Sequence, residues 1–169
     1  MASISPDGAR TRRPPVSRRV LVVEDNLDTL HSLTHILRKE GHQVEFAING
    51  YAALDIARRF RPEFVFLDLG LPGLDGFEVC SQLKSEAGFE ATRFIAVTGY
   101  AQETDRLRAR AVGCELHIVK PADPLLPLKL LPFLVERTQR FAGRNLSPCV
   151  HLLEVLQAFE IMMNQRHLA

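Results

Sequence analysis

The chain alternates short, continuous apolar runs with stretches of helical period. The runs at 20–23, 64–67, 94–97 and 116–119 each hold at most one polar side chain. Runs of that length bounded by turn residues read as strands of a parallel sheet covered on both faces. Strands are predicted at 20–23, 43–47, 64–67, 93–97 and 115–119. The second is the most polar and belongs at an edge; the third belongs at the centre. A helix is predicted over 27–40, with Leu30, Leu33, Ile36 and Leu37 on one face and Gly41 stopping it. Asn49 can cap a helix over 51–60, which Pro62 closes. Helices over 77–85 and 102–112 follow, the latter stopped by Gly113. A last helix starts near Asp123 or Pro124, and Pro132 should kink or end it. Five βα units in succession imply an α/β fold with a doubly wound parallel sheet and right-handed crossovers.

A polar signal follows each main run. Glu24-Asp25 follows the first, Asp68 the third, Thr98 the fourth and Lys120-Pro121 the fifth. Open parallel sheets bind ligands beyond the carboxyl ends of their strands, where the strand order reverses. Three carboxylates, one hydroxyl and one ammonium should therefore meet at one edge. Carboxylates that close repel one another and raise each other's pKa values. A divalent cation relieves the repulsion, and hard oxygen ligands favour magnesium. With the charge balanced, one carboxylate can attack phosphorus and become an acyl phosphate. Lys120 and Thr98 would supply a charge and a hydroxyl to the phosphoryl oxygens.

Composition narrows the field. At 169 residues the chain holds one domain with a real core plus an appendage. A net charge of +1 gives no bulk electrostatic argument for nucleic acid. No apolar stretch reaches the roughly 18 residues of a membrane span, and the N-terminus lacks the apolar core of a signal peptide. Cys80, Cys114 and Cys149 are odd in number, far apart in sequence and without zinc spacing. A disulfide framework is not expected, and a reducing cytoplasm fits best.

The ends differ from the middle. Residues 1–17 hold Pro6, Gly8, Pro14 and Pro15 with Arg10, Arg12 and Arg13, and read as a disordered basic arm. Beyond Arg137 a linker leads to Ser147-Pro148, a good helix start. Residues 149–165 carry Val150, Leu153, Leu156, Phe159 and Met163 at helical spacing. Docking onto the domain is the plain reading of that stripe; a homodimer or partner interface is the sharper one. His31 and His35 stand at i, i+4 but have no nearby acid or cysteine, so they read as solvated or packed rather than metal-binding.

The four signals together carry a resemblance. Val22-Val23-Glu24-Asp25-Asn26, Phe66-Leu67-Asp68-Leu69-Gly70-Leu71-Pro72-Gly73-Leu74-Asp75-Gly76, Val97-Thr98-Gly99-Tyr100 and Val119-Lys120-Pro121 resemble the receiver domain of bacterial two-component response regulators. Each motif alone is weak; four in order, each after a predicted strand, are specific. The resemblance covers 18–137 and leaves 138–169 as linker and amphipathic helix. It implies a flavodoxin-like sheet of order 2-1-3-4-5 with a C-terminal helical extension. It implies Asp68 as phosphoacceptor and magnesium held by Asp25, Asp68, the Gly70 carbonyl and, through water, Glu24. Thr98 would follow the phosphoryl group and Lys120 would pair with it. Thr98, His117 and Tyr100 would form the switch, and Lys120-Pro121 is implied to be cis. The implied partners are a histidine kinase or histidine phosphotransfer protein and an output protein. No direct DNA binding or membrane contact is expected, since no room follows Arg137 for an output domain.

Two positions depart from the commonest family pattern. His117 stands where an aromatic switch residue is usual, which adds a charge that titrates near neutrality. Gly70 places no side chain over the phosphoryl site. Gly70 also argues against a magnesium-dependent phosphatase with an Asp nucleophile, which needs a second acid two residues on. A third alternative, a non-phosphorylated interaction module, is opposed by retention of all five site residues.

Overall fold

The computed structural model describes residues 16–99, 102–120 and 130–131. The chain divides into two compact units, 1–128 and 129–169. In the first the elements run β1 (Arg19–Val23), α1 (Leu27–Lys39), β2 (Gln43–Ala47), α2 (Gly50–Phe60), β3 (Phe64–Leu67), α3 (Gly76–Ser85), β4 (Arg93–Thr98), α4 (Glu103–Ala111) and β5 (Cys114–Val119). In the second, Leu130 and Leu131 are helical. The basic arm through residue 15, Pro121, the rest of the last predicted helix and the terminal helix lie outside the described residues.

The strands pair in parallel in the order β2-β1-β3-β4-β5. β3 is central and fully buried, as an unbroken apolar run requires. β2 lies at an edge and exposes Gln43, Glu45 and Phe46. The β4–β5 pairing shifts register once: Phe94 faces Cys114 while Ile95 faces Leu116. Glu115 is thus the extra residue of a bulge, where its carboxylate pairs with Arg93.

Local chemistry sets the helix ends. Asn26 caps α1 by accepting from the Thr29 N–H at 2.9 Å. Leu30, Thr34 and Leu37 bury one face of α1, with Leu33 and Ile36 half-buried beside them. Each fully buried leucine contributes about 1.5–3 kcal/mol. Gly41 takes φ +88° just past the helix, a left-handed conformation that suits glycine. Asn49 caps α2 through the Ala52 N–H, as its position predicted. α3 opens on a reciprocal capping box between Asp75 and Glu78.

Gly76 matters for the site. Its N–H donates to the Leu69 carbonyl at 3.2 Å, closing the loop that follows β3. A Cβ there would lie 2.2 Å from the Asp68 carbonyl oxygen and 2.7 Å from the Leu69 Cα. Both neighbours are backbone and have little room to retreat. Gly76→Ala should cost about 1–3 kcal/mol by overpacking, read as a lower urea midpoint. An unchanged midpoint would mean that α3 does not press on the Asp68 segment.

Candidate functional site

Register brings the acids together. Val23 on β1 faces Leu67 on β3, so Glu24 and Asp68 leave adjacent strands side by side. This is where the strand order reverses, with β2 on one side of β1 and β3 on the other. The Asp68 N–H donates to the Val23 carbonyl at 2.9 Å, and the Glu24 N–H to the Ala47 carbonyl at 3.1 Å. The ladder thus continues one residue past each strand and fixes both backbones.

Glu24 is 4% exposed and Asp68 8%, whereas Asp25 is open to solvent. One carboxylate oxygen from each lies within 4.8 Å of the others. Lys120 Nζ donates to Glu24 Oε2 at 2.6 Å and to Asp68 Oδ2 at 2.7 Å. The remaining oxygens are also held. Glu24 Oε1 accepts from the Asn26 N–H at 3.3 Å, and Asp68 Oδ1 from the Gly70 N–H at 2.8 Å. Lys120 is placed through its own N–H, which donates to the Thr98 carbonyl at 2.8 Å.

One ammonium among three carboxylates leaves the cluster with surplus negative charge. Burial pushes the Glu24 carboxyl above the usual carboxylate range; Lys120 pulls it down and Asp68 pushes it up. Burial also pushes the Lys120 ammonium down, but its bonds to Asp68 and Glu24 outweigh this and hold it above the usual lysine range. The two shifts favour opposite states of one ion pair. The geometry reconciles them, because a single lysine is shared and compensates neither acid fully. A compact, anionic, all-oxygen donor set fits magnesium. Gly70 is exposed at the same edge.

Thr98 ends β4, fully buried, across from Val119. His117 faces Ala96 on β4 and is half-buried. Neither of its ring nitrogens has a hydrogen-bond partner among the described residues. Burial pushes its imidazole below the ordinary value, and Arg106 of α4 adds to this while Asp105 and Glu103 oppose it. Since the folded value is depressed, the neutral ring contributes stability above the unfolded value of 6.5 that is lost as pH falls through the folded value. His117→Phe should remove that acid-side slope and add about 1–2 kcal/mol by deleting unpartnered nitrogens. Melting curves across this range check it; an unaltered slope would place the titration elsewhere.

Glu24, Asp25, Asp68 and Lys120 thus form one cluster, with Gly70 and Thr98 bonded to it through their backbones. Tyr100 lies outside the described residues. His31 and His35 are exposed on α1, and neither belongs to the acid grouping found among the described residues. Sequence reasoning missed two things here. It did not foresee that Lys120 contacts Glu24 as well as Asp68. It also gave Asn26 no role, although Asn26 caps α1 with its side chain and holds Glu24 with its N–H. No spacing signals a bridge between residues 96 apart in sequence.

Comparison with known proteins gives the family and the fold. Residues 20–128 match the family model of the response regulator receiver domain. The chain is 37% identical to PilH of Pseudomonas aeruginosa over 113 residues, which is 67% of this chain and 93% of that protein. It is 36% identical to the polar-differentiation response regulator DivK of Brucella anthropi, over 75% of this chain and 97% of that one. The chemotaxis response regulator CheY4 of Vibrio cholerae superposes with a TM-score of 0.66 at 27% identity, covering 70% of this chain and 98% of that one.

Proposed function

The chain belongs to the response regulator receiver family, and on that premise we propose that Asp68 accepts a phosphoryl group from a histidine kinase or a histidine phosphotransfer protein. Receiver domains are phospho-switches that meet such donors and then an output partner. The observation that carries the reading is the Asp68 carboxylate. One of its oxygens is held by the Gly70 N–H, the other by Lys120, at the reversal point of the sheet.

The residues act in a defined way. An Asp68 oxygen forms a bond to phosphorus as the bond to the donor nitrogen breaks, and the donor imidazole keeps the electron pair and a proton. Lys120 can follow the new charge from carboxylate to phosphoryl oxygen, since its ammonium already sits 2.7 Å from Asp68. The Thr98 hydroxyl is drawn to another phosphoryl oxygen, and His117 turns inward into the space it leaves. The α4–β5 face then changes, which is the output. Glu24, Asp25, Asp68 and the Gly70 carbonyl would hold magnesium, which supplies positive charge against the phosphoryl oxygens.

A phosphatase reading stays weaker because position 70 is glycine. No described helix is long and apolar enough to cross a membrane.

Two linked measurements test the proposal. Magnesium at a hundredfold excess over its dissociation constant should stabilise the protein by about 2.7 kcal/mol, and Asp25→Ala should abolish that increment. A labelled acyl phosphate should transfer its phosphoryl group to the protein when magnesium is present and hardly at all to Asp25→Ala. An unchanged melting increment in that variant refutes the ligand role; uptake without metal refutes the mechanism.

A further inference from the structure

Away from the acid cluster, Cys80 of α3 and Cys114 at the start of β5 bring their sulfurs to 3.6 Å, though they stand 34 residues apart. Both are buried free thiols. We propose that these two cysteines are an oxidation site that closes into a disulfide linking α3 to the start of β5. Three observations carry this. The sulfurs need approach by only about 1.5 Å to reach bonding distance. Cys114 lies at the β4–β5 bulge, where the ladder is already interrupted and the backbone can adjust. Gly113, at φ +101°, makes the turn that delivers Cys114 to α3.

The two thiols are bonded differently: the Cys80 thiol donates to the Val112 carbonyl at 3.3 Å and accepts from the Cys114 thiol. A hydrogen bond from the Cys114 thiol holds Cys80 below the usual thiol range, against its burial, and the Lys84 ammonium helps. The same bond and burial push Cys114 far up. Lys84 is fixed nearby by its bond to the Thr92 carbonyl at 2.7 Å. Hydrogen peroxide serves as the oxidant. The Cys80 thiolate attacks one peroxide oxygen, the O–O bond breaks, and water leaves with a thiol proton; Cys80 is then a sulfenic acid. The Cys114 sulfur attacks that sulfur, the S–O bond breaks and the S–S bond forms. A second water leaves with the other thiol proton. Each sulfur loses one electron and the peroxide gains two.

The test treats the full chain with graded hydrogen peroxide, blocks the remaining thiols and maps the peptides. The expected product is a linked Cys80–Cys114 peptide pair, two hydrogens lighter than the reduced pair and restored by dithiothreitol. The oxidised protein should melt about 10 °C higher. Cys80→Ala and Cys114→Ala should each abolish the linked pair. Should either variant fold poorly, the peptide map of the unaltered chain decides alone. Linkage through Cys149, oxidation to sulfinic acid without any Cys80–Cys114 linkage, or two thiols that stay reduced until the protein unfolds would each overturn the proposal.

Discussion

Asp68→Asn should abolish phosphoryl uptake while leaving the fold in place. Asparagine keeps the shape of aspartate and one acceptor oxygen for the Gly70 N–H, which stands 2.8 Å away. It lacks the anionic oxygen that the proposed transfer requires. The substitution removes one of two buried carboxylates that share Lys120, so Glu24 gains the undivided ammonium. Metal-free stability should accordingly change little or rise. Intact mass after incubation with an acyl phosphate donor and magnesium reads the result directly. An Asp68→Asn chain that still gains one phosphoryl group would remove Asp68 from the acceptor role.

Lys120→Met should destabilise the metal-free protein by about 3 kcal/mol at neutral pH. Methionine retains much of the aliphatic packing but leaves two largely buried acids without a cation. The effect should depend on pH in a defined sense. The folded Lys120 value is raised, so its contribution is full below the unfolded value of 10.5 and lost as pH rises through the folded value. Glu24 is also raised, so its contribution is full below 4.5 and lost as pH rises through its folded value. Charged Glu24 therefore costs stability at neutrality, and protonating it leaves less charge to compensate. The penalty of Lys120→Met should shrink as pH falls toward 4.5. Urea midpoints of the two proteins across that range check this. A penalty that is constant with pH would mean that the lysine matters for packing and not for charge.

The strands were legible because burial on both faces demands unbroken apolar runs, and 64–67 and 20–23 offer little else. The edge position of β2 was legible because Glu45 interrupts its pattern. Strand order was a different matter. Periodicity places residues on faces but does not say which strand lies beside which; the resemblance supplied the order 2-1-3-4-5, and the structure has it. The site residues were legible through their shared position after strands. Their hydrogen bonds were not, because Lys120 and Glu24 meet only through the order of the sheet. The Asp75–Glu78 capping box was within reach, since the Asp-x-x-Glu spacing is its signature. The thiol pair was not, because it depends on the register shift between β4 and β5, which no local pattern announces.

The bond from the Gly76 N–H to the Leu69 carbonyl ties the neck of the loop between β3 and α3. Inside that neck the Gly70 N–H still holds Asp68, and beyond it the buried side chains of Leu71 and Leu74 pin the loop on either side of its bend. Pro72 and Gly73 are exposed at its outer bend. Lengthening a surface loop costs only about 0.6 kcal/mol per doubling. The bend is thus a place where the chain can gain residues, a recognition tag or a partner-specific insert, while Asp68 stays where β3 puts it.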